Sequence, residues 1–446
     1  MKRVGVGLLV AAILTVIGAC GDPLSTPTES SAAPRMMSRV VLDSGVTYEQ
    51  GVLGPGAIYE IYTPPGWQIG ALVLYVHGYV SPYDEPGLPE DLDDSVLEML
   101  LGGGFAVAYS SFSETGWAVR DGAIRSRQLL GYFRDNYGDP EEVYLVGASQ
   151  GGLIALSLAE QNPNLFDGLL SISGAIGGGP LQMEYLTHVR ALFDRFFGEK
   201  LHLLAGTVDP IAAPSQALLA ALGDGVLDAD PEAVSPELSG YLEYFPEVVA
   251  ALVLGHPETA LALAATLVDG VPLFNWRLEE ILDPAVHVFL FEVVETIASA
   301  LWFNIFGTPD LLERTNGHAM VDNSGTQYWS LVLNAEENLR LNDEVERITA
   351  HPAGTNYLSR WYQPTGWLRF PMMTVHVSRD PAVPILHERT FAAIVAGAGS
   401  SDYLVQREFD GFGHGDLREA YGDLFIQYVL SAFADLVLWV TSGVAP

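Results

Sequence analysis

Ser149 lies in Gly147-Ala148-Ser149-Gln150-Gly151, a G-x-S-x-G pattern. A serine hydroxyl is a weak nucleophile until a neighbouring base takes its proton. The chain has 10 histidines, and His414 is the best-placed base. It lies in Gly411-Phe412-Gly413-His414-Gly415, a loop after an expected strand, where an imidazole can swing to the edge of a sheet. His376 falls inside an expected strand and reads as core, and His387 falls early in a helix and reads as packed or solvated. His188, His202, His256, His287, His318 and His351 lie in a helical insert and take the same roles. The imidazole then needs an acid to fix its tautomer and stabilise its charged form. Asp380, in Ser378-Arg379-Asp380-Pro381, follows a strand and precedes His414 in the chain. Asp410 and Asp416 are rivals, but acids so near His414 in sequence rarely aim at its ring. Serine, acid and base in this arrangement are the parts of nucleophilic acyl transfer.

These residues need a scaffold. The apolar run Glu142–Val146 predicts a strand ending just before the serine, and Gly151–Gln161 predicts a helix after it. A sharp strand-to-helix turn strains the serine backbone and lifts its Oγ clear of the sheet, and the flanking glycines remove side chains that would clash. The helix N-terminus offers free N–H groups and a positive dipole end to a developing anion. One such N–H is assigned to Gln150. The second is assigned to Tyr79 in His77-Gly78-Tyr79, with Gly78 as the alternative, because this loop follows the apolar strand Ala71–Val76. His77, Gly78 and Ser110 are candidate substrate-contacting residues, and His77 reads as a loop brace rather than a base. Trp117 reads as core.

Further strands are expected at Val40–Glu49, Ala57–Tyr62, Phe105–Tyr109, Gly168–Ile172, Met372–Val377 and Tyr403–Phe409, with helices at Asp91–Leu101, Trp117–Asn136, Ile385–Ala396 and Asp416–Trp439. Short apolar strands alternating with helices predict a doubly wound, mostly parallel α/β sheet covered on both faces. Between residues 174 and 354 strand signals are few, and helices are expected at Leu181–Phe197, Pro214–Leu222, Tyr241–Leu254, Pro257–Leu267 and Val286–Phe306. Glu292 and Glu295 make the last of these a poor membrane span. This insert leaves the sheet at the strands' carboxyl ends, where ligands bind in doubly wound folds, so it is read as a helical cap. Phe274, Trp276, Phe289, Phe291, Trp302, Phe303 and Phe306 are its candidate pocket aromatics. The division is therefore residues 39–173 and 355–446 for the core and 174–354 for the cap.

The order Ser149, Asp380, His414 and the G-x-S-x-G turn resemble an α/β-hydrolase of the bacterial esterase and prolyl-oligopeptidase-like group. Tyr75-Val76-His77-Gly78-Tyr79, Tyr109–Ser113 with Gly116-Trp117, Pro364-Thr365-Gly366, and Leu438-Trp439-Val440 with Gly443 resemble exported bacterial hydrolases in the style of tannases and feruloyl esterases. That resemblance implies cleavage of a small-molecule carboxylic ester. A serine peptidase with the same three residues and a non-catalytic binding protein on the same fold are the alternatives. Such hydrolases often carry a disulfide near the site, which this chain cannot form internally.

Composition narrows the rest. The 446 residues include 1 cysteine, which leaves no disulfide framework and no cysteine-ligated metal or cluster. Asp310, Glu313 and Asp322 lack regular ligand spacing and read as solvated acids, so no metal is assigned. No glycine-rich phosphate loop or dinucleotide fingerprint is present, and no cofactor is expected. A net charge of −34 argues against a nucleic-acid partner. At 49% hydrophobic and 17% charged, the chain can build a large core.

Lys2 and Arg3, the apolar run Val4–Ile17 and the small residues Gly18-Ala19 predict a signal peptide over 1–19. Ile17-Gly18-Ala19-Cys20 resembles a bacterial lipobox, which implies lipidation of Cys20, a membrane anchor and a place in the cell envelope. Residues 20–38 are rich in Ser, Thr, Pro and Ala and read as a flexible tether.

Overall fold

The computed structural model describes residues 33–89, 92, 94–201, 257–270, 287–415 and 417–446. The signal peptide, Cys20, most of the tether, the helices expected over 214–222 and 241–254, and His202, His256, Phe274, Trp276 and Asp416 lie outside them. So do the side chains of His287, Phe289, Phe291 and Phe306.

Nine strands form one sheet: β1 Arg35–Val41, β2 Thr47–Leu53, β3 Ala57–Thr63, β4 Leu72–Val76, β5 Ala106–Ser110, β6 Val143–Ala148, β7 Gly168–Ile172, β8 Met372–Arg379 and β9 Leu404–Phe412. Their spatial order is β1-β2-β3-β5-β4-β6-β7-β8-β9. Pairing is antiparallel from β1 to β5 and parallel from β5 to β9. The amino-terminal strands depart from the sequence reading. The single strand expected at Val40–Glu49 is two strands folded at Leu42–Val46, where Leu42 N–H donates to Val46 O at 2.8 Å and Gly45 takes φ 82°. β1 begins inside the segment read as tether. It is exposed along its whole length, so it carries no burial alternation to betray it.

The connecting helices are α1 Asp94–Gly102, α2 Val119–Tyr137 and α3 Gln150–Gln161. The insert contributes α4 Gly179–Leu201, α5 Pro257–Gly270, α6 His287–Trp302, α7 Thr308–Arg314 and α8 Ala335–Glu344, and α9 Pro352–Arg360 crosses the boundary expected at 354. A π-helical turn, Phe303–Gly307, joins α6 to α7. α10 Leu386–Ala398, α11 Leu417–Tyr421 and α12 Asp423–Ser442 complete the fold. The helix expected to run on to Trp439 is thus two helices, broken at Gly422 with φ 59°.

Strand alternation divides the core into two layers. Leu72, Leu74 and Val76 of β4 join the cluster shared with α2, α3 and α4. Val73 and Tyr75 join the cluster beneath α1 and α12. α12 is apolar enough by composition to cross a membrane, but Phe425, Ala432, Phe433, Leu436 and Trp439 bury its inner face.

Candidate active site

Ser149 joins β6 to α3 with φ 54° and ψ −124°, left-handed geometry that a side chain adopts only under restraint. Two glycines make the turn possible. A Cβ on Gly147 would lie 2.3 Å from Gly151 O, and one on Gly151 would lie 2.0 Å from Val76 O. Backbone bonds hold the serine: its N–H donates to Ile172 O at 2.9 Å, and its carbonyl accepts from Gly152 N–H and Ala175 N–H.

His414 follows β9, and its Nε2 lies 2.8 Å from Ser149 Oγ. Its Nδ1 lies 2.7 Å from Asp380 Oδ2. A carboxylate can only accept here, so Nδ1 carries the proton and Nε2 accepts from the serine hydroxyl. Asp380 is fully buried. Its Oδ1 accepts from Ala382 N–H at 2.9 Å and Val383 N–H at 2.8 Å, which fixes the carboxylate plane. The rival acid Asp410 is exposed and pairs instead with Arg379 at 3.1 Å.

Gln150 opens α3, so its N–H has no partner one turn earlier in that helix. Its side chain donates to Gly116 O at 3.3 Å. Tyr79 follows β4 and packs edge-on against Phe303 at 5.4 Å between centroids. Its phenol is buried without a partner among the described residues, and burial, with Asp310 nearby, raises its pKa. Gly78 lies against the serine, since a Cβ there would be 3.2 Å from Ser149 Cβ.

Two cavities meet at Ser149, Tyr79 and Phe303. The smaller, about 40 Å³, is walled by Trp117 and Gln150 of the core and by Met183, Leu186 and Leu311 of the insert. The larger, about 480 Å³, contains Gly78 and His414 in its wall and runs between the sheet and the helices α1 and α12. His77 and Ser110 belong to neither wall, contrary to their assignment as substrate contacts. The His77 ring stacks on Phe112 with centroids 3.8 Å apart. Ser110 ends β5, opposite Tyr59 of β3, and β4 stands between it and β6. Trp117 is both core and cavity wall.

Supports around the site escaped sequence reading. Asp310, read as a solvated acid, accepts from Trp117 N–H at 2.8 Å. Arg314 bonds Glu114 at 2.6 Å and Thr115 O at 2.9 Å, tying α7 to the loop beside Gln150. Behind Asp380, Gln182 donates to Ala382 O at 2.8 Å. His387 accepts from Gly177 N–H at 3.0 Å and donates Nε2–H to the Gln182 side-chain oxygen at 2.9 Å. Burial first, and the neighbouring His376 second, push the His387 pKa down to about 3, which keeps it neutral for that pairing. For His376 burial opposes the charge, but Glu388 and Asp380 outweigh it and raise the pKa. No spacing in the sequence links Gln182 or Asp310 to Ser149.

No family model matches the chain. It is 26% identical over 208 residues to "Putative esterase NocK" of Nocardia uniformis subsp. tsuyamanensis, a match over 40% of this chain and 58% of that protein. The chain therefore spans less than two thirds of this relative's length. The rice cell wall degrading esterase LipA of Xanthomonas oryzae aligns with a TM-score of 0.41 and 12% identity over 92% of this chain and 97% of that one. An acylaminoacyl peptidase of Pyrococcus horikoshii aligns with a TM-score of 0.39 and 11% identity over 90% of this chain and 41% of that one. Likeness this distant carries no functional argument. The strand order with its turn after β6 is the α/β-hydrolase fold.

Proposed function

We propose that this chain is a serine hydrolase that cleaves carboxylic esters through an acyl-enzyme. The observation that carries the reading is the line Ser149 Oγ to His414 Nε2 to Asp380, at 2.8 and 2.7 Å, on a left-handed turn. Ser149 Oγ attacks the ester carbonyl carbon while His414 Nε2 takes its proton. The N–H groups of Gln150 and Tyr79 receive the oxyanion. The carbonyl–oxygen bond to the alcohol breaks as His414 returns the proton to that oxygen. Water, deprotonated by His414, then cleaves the acyl-serine, and the serine regains its proton. Asp380 keeps Nδ1 protonated throughout. The esterase name of NocK points the same way, and the cavity walls on α4 and α7 support the insert as a cap that excludes water. A fluorophosphonate probe should label the wild type and leave Ser149→Ala unlabelled, with aryl-ester hydrolysis lost in parallel. Equal labelling of both proteins rejects the assignment.

The sequence of residues 1–20 supports export and anchoring through a lipid on Cys20. In a bacterial host the wild type should fractionate with membranes and Cys20→Ser should be released. Identical fractionation of the two rejects the anchor.

A further inference from the structure

The two cavities around Ser149 differ about twelvefold in volume, 40 against 480 Å³. The tetrahedral carbon bonded to Ser149 Oγ carries three other groups. Its oxyanion turns to the Gln150 and Tyr79 N–H groups, and its leaving oxygen must face His414 Nε2 to receive the proton. The acyl group takes the remaining direction. His414 belongs to the wall of the large cavity and not of the small one. We infer that the large cavity holds the alcohol part of the ester, a long apolar chain, and that the small cavity holds a short acyl group. This inference rests on the hydrolase reading and names the substrate class of the same site.

The shape of the large cavity fits an alkyl chain. Ala148 and Ile172 line its catalytic end, and Tyr75, Val146 and Leu170 form the next row of the sheet. Val73, in register with Tyr144, lies four residues below Ala148, which at strand rise is a depth of ~13 Å. One leaflet's share of a bilayer's hydrocarbon core is about 15 Å, so the depth suits most of a lipid-length chain. Phe433 closes the far end, packed edge-on against Tyr144 at 5.7 Å and Phe105 at 5.3 Å. The Ser173 hydroxyl, buried and without a partner among the described residues, belongs to the same wall one residue past the end of β7. The small cavity is apolar and admits a group of only a few heavy atoms.

Decyl acetate and ethyl decanoate are isomers of equal polarity that place the chain on opposite sides of the ester. The kcat/KM for decyl acetate should exceed that for ethyl decanoate by about tenfold or more, the worth of two buried methylenes. Narrowing the large cavity with Val429→Phe should lower the ratio of decyl acetate to ethyl acetate turnover. A preference for ethyl decanoate places the chain on the acyl side and overturns the inference. So does equal turnover of the isomers by an enzyme whose Ser149 still takes the fluorophosphonate. Absence of both labelling and hydrolysis instead overturns the hydrolase reading, and this inference falls with it.

Discussion

Ser149 keeps its position because its neighbours are almost nothing. Its backbone is held at φ 54°, and the chain turns so tightly that carbonyl oxygens occupy the space where side chains of residues 147 and 151 would begin. At Gly151 the obstacle is the carbonyl of Val76, part of the parallel pairing between β4 and β6. It cannot swing aside as a flexible side chain could. Gly151→Ala must therefore separate β4 from β6 or unwind the first turn of α3. We expect a loss of at least about 3 kcal/mol in chemical denaturation. A loss below about 1 kcal/mol shows that the turn relaxes and that the glycine is not sterically required. The same tightness explains why the three hydrogen-bonded residues were legible in the sequence. Glycines on both sides of a serine, between an apolar strand and a helix, have few other uses. His414 in its glycine loop and Asp380 after its strand then followed from chain order. Gln182 and His387 were not legible, because a glutamine and a histidine in helices carry no sign of the carbonyl or amide they meet. The large cavity was equally silent. Val73, Val146 and Leu170 read as buried core whether the space beyond them holds atoms or not.

At the scale of elements, the parallel half of the sheet and the antiparallel strand β3 announced themselves, and the separation of β1 from β2 did not. β4 to β8 are largely apolar, buried runs separated by helices, and their existence and order follow from that burial and from right-handed crossovers, whereas β9 is a half-exposed edge strand. β2 and β3 break the rule that strands hide apolar side chains. Glu49 and Glu60 are both buried there. Glu49 accepts from the hydroxyls of Tyr59, Tyr132 and Tyr137 at 2.6 to 2.8 Å and pairs with Arg39. Burial raises the Glu49 pKa, but those hydrogen bonds prevail and lower it. Glu60 accepts from Tyr48, Tyr62 and Tyr109. Each carboxylate thus exchanges water for several donors, which is how a buried charge is tolerated. These bonds join β1, β2, β3, β5 and α2, so the edge of the sheet is held by polar contacts where apolar ones are few. Of the insert's described helices, α4, α5 and α6 were visible as apolar stretches and α7, α8 and α9 were not, and the bonds from Asp310 and Arg314 to the Glu114–Trp117 loop cross nearly 200 positions of chain. No local pattern reports contacts of that range.

The whole molecule combines a net charge of −34 with a few titratable groups buried inside it, and the two respond oppositely to acid. Surface carboxylates repel one another, so protonating them relieves strain on the compact state. The buried histidines do the opposite. His188 bonds the Tyr328 hydroxyl at 2.6 Å, and burial first, then Arg347, push its pKa down to about 4. His387 is held at about 3. Both are near 6.5 in the unfolded chain, so the unfolded state binds more protons between those values. The stability they confer is complete above pH 6.5 and is lost as pH falls through that window. Asp194 runs the other way. Burial raises its pKa to about 6 against the pull of Arg190, so the folded state binds the extra proton between about pH 4 and 6, and stability is lost as pH rises. Near pH 5 the balance is two protons on unfolded histidines against one on folded Asp194. Denaturation across pH 4.5 to 5.5 isolates these groups if variants are compared with wild type, since the surface contribution is common to all. Asp194→Asn should steepen the fall in stability on acidification by about one proton, or about 1.4 kcal/mol per pH unit, and His188→Gln should flatten it by the same amount. Parallel slopes in all three proteins mean that His188 and Asp194 titrate alike folded and unfolded.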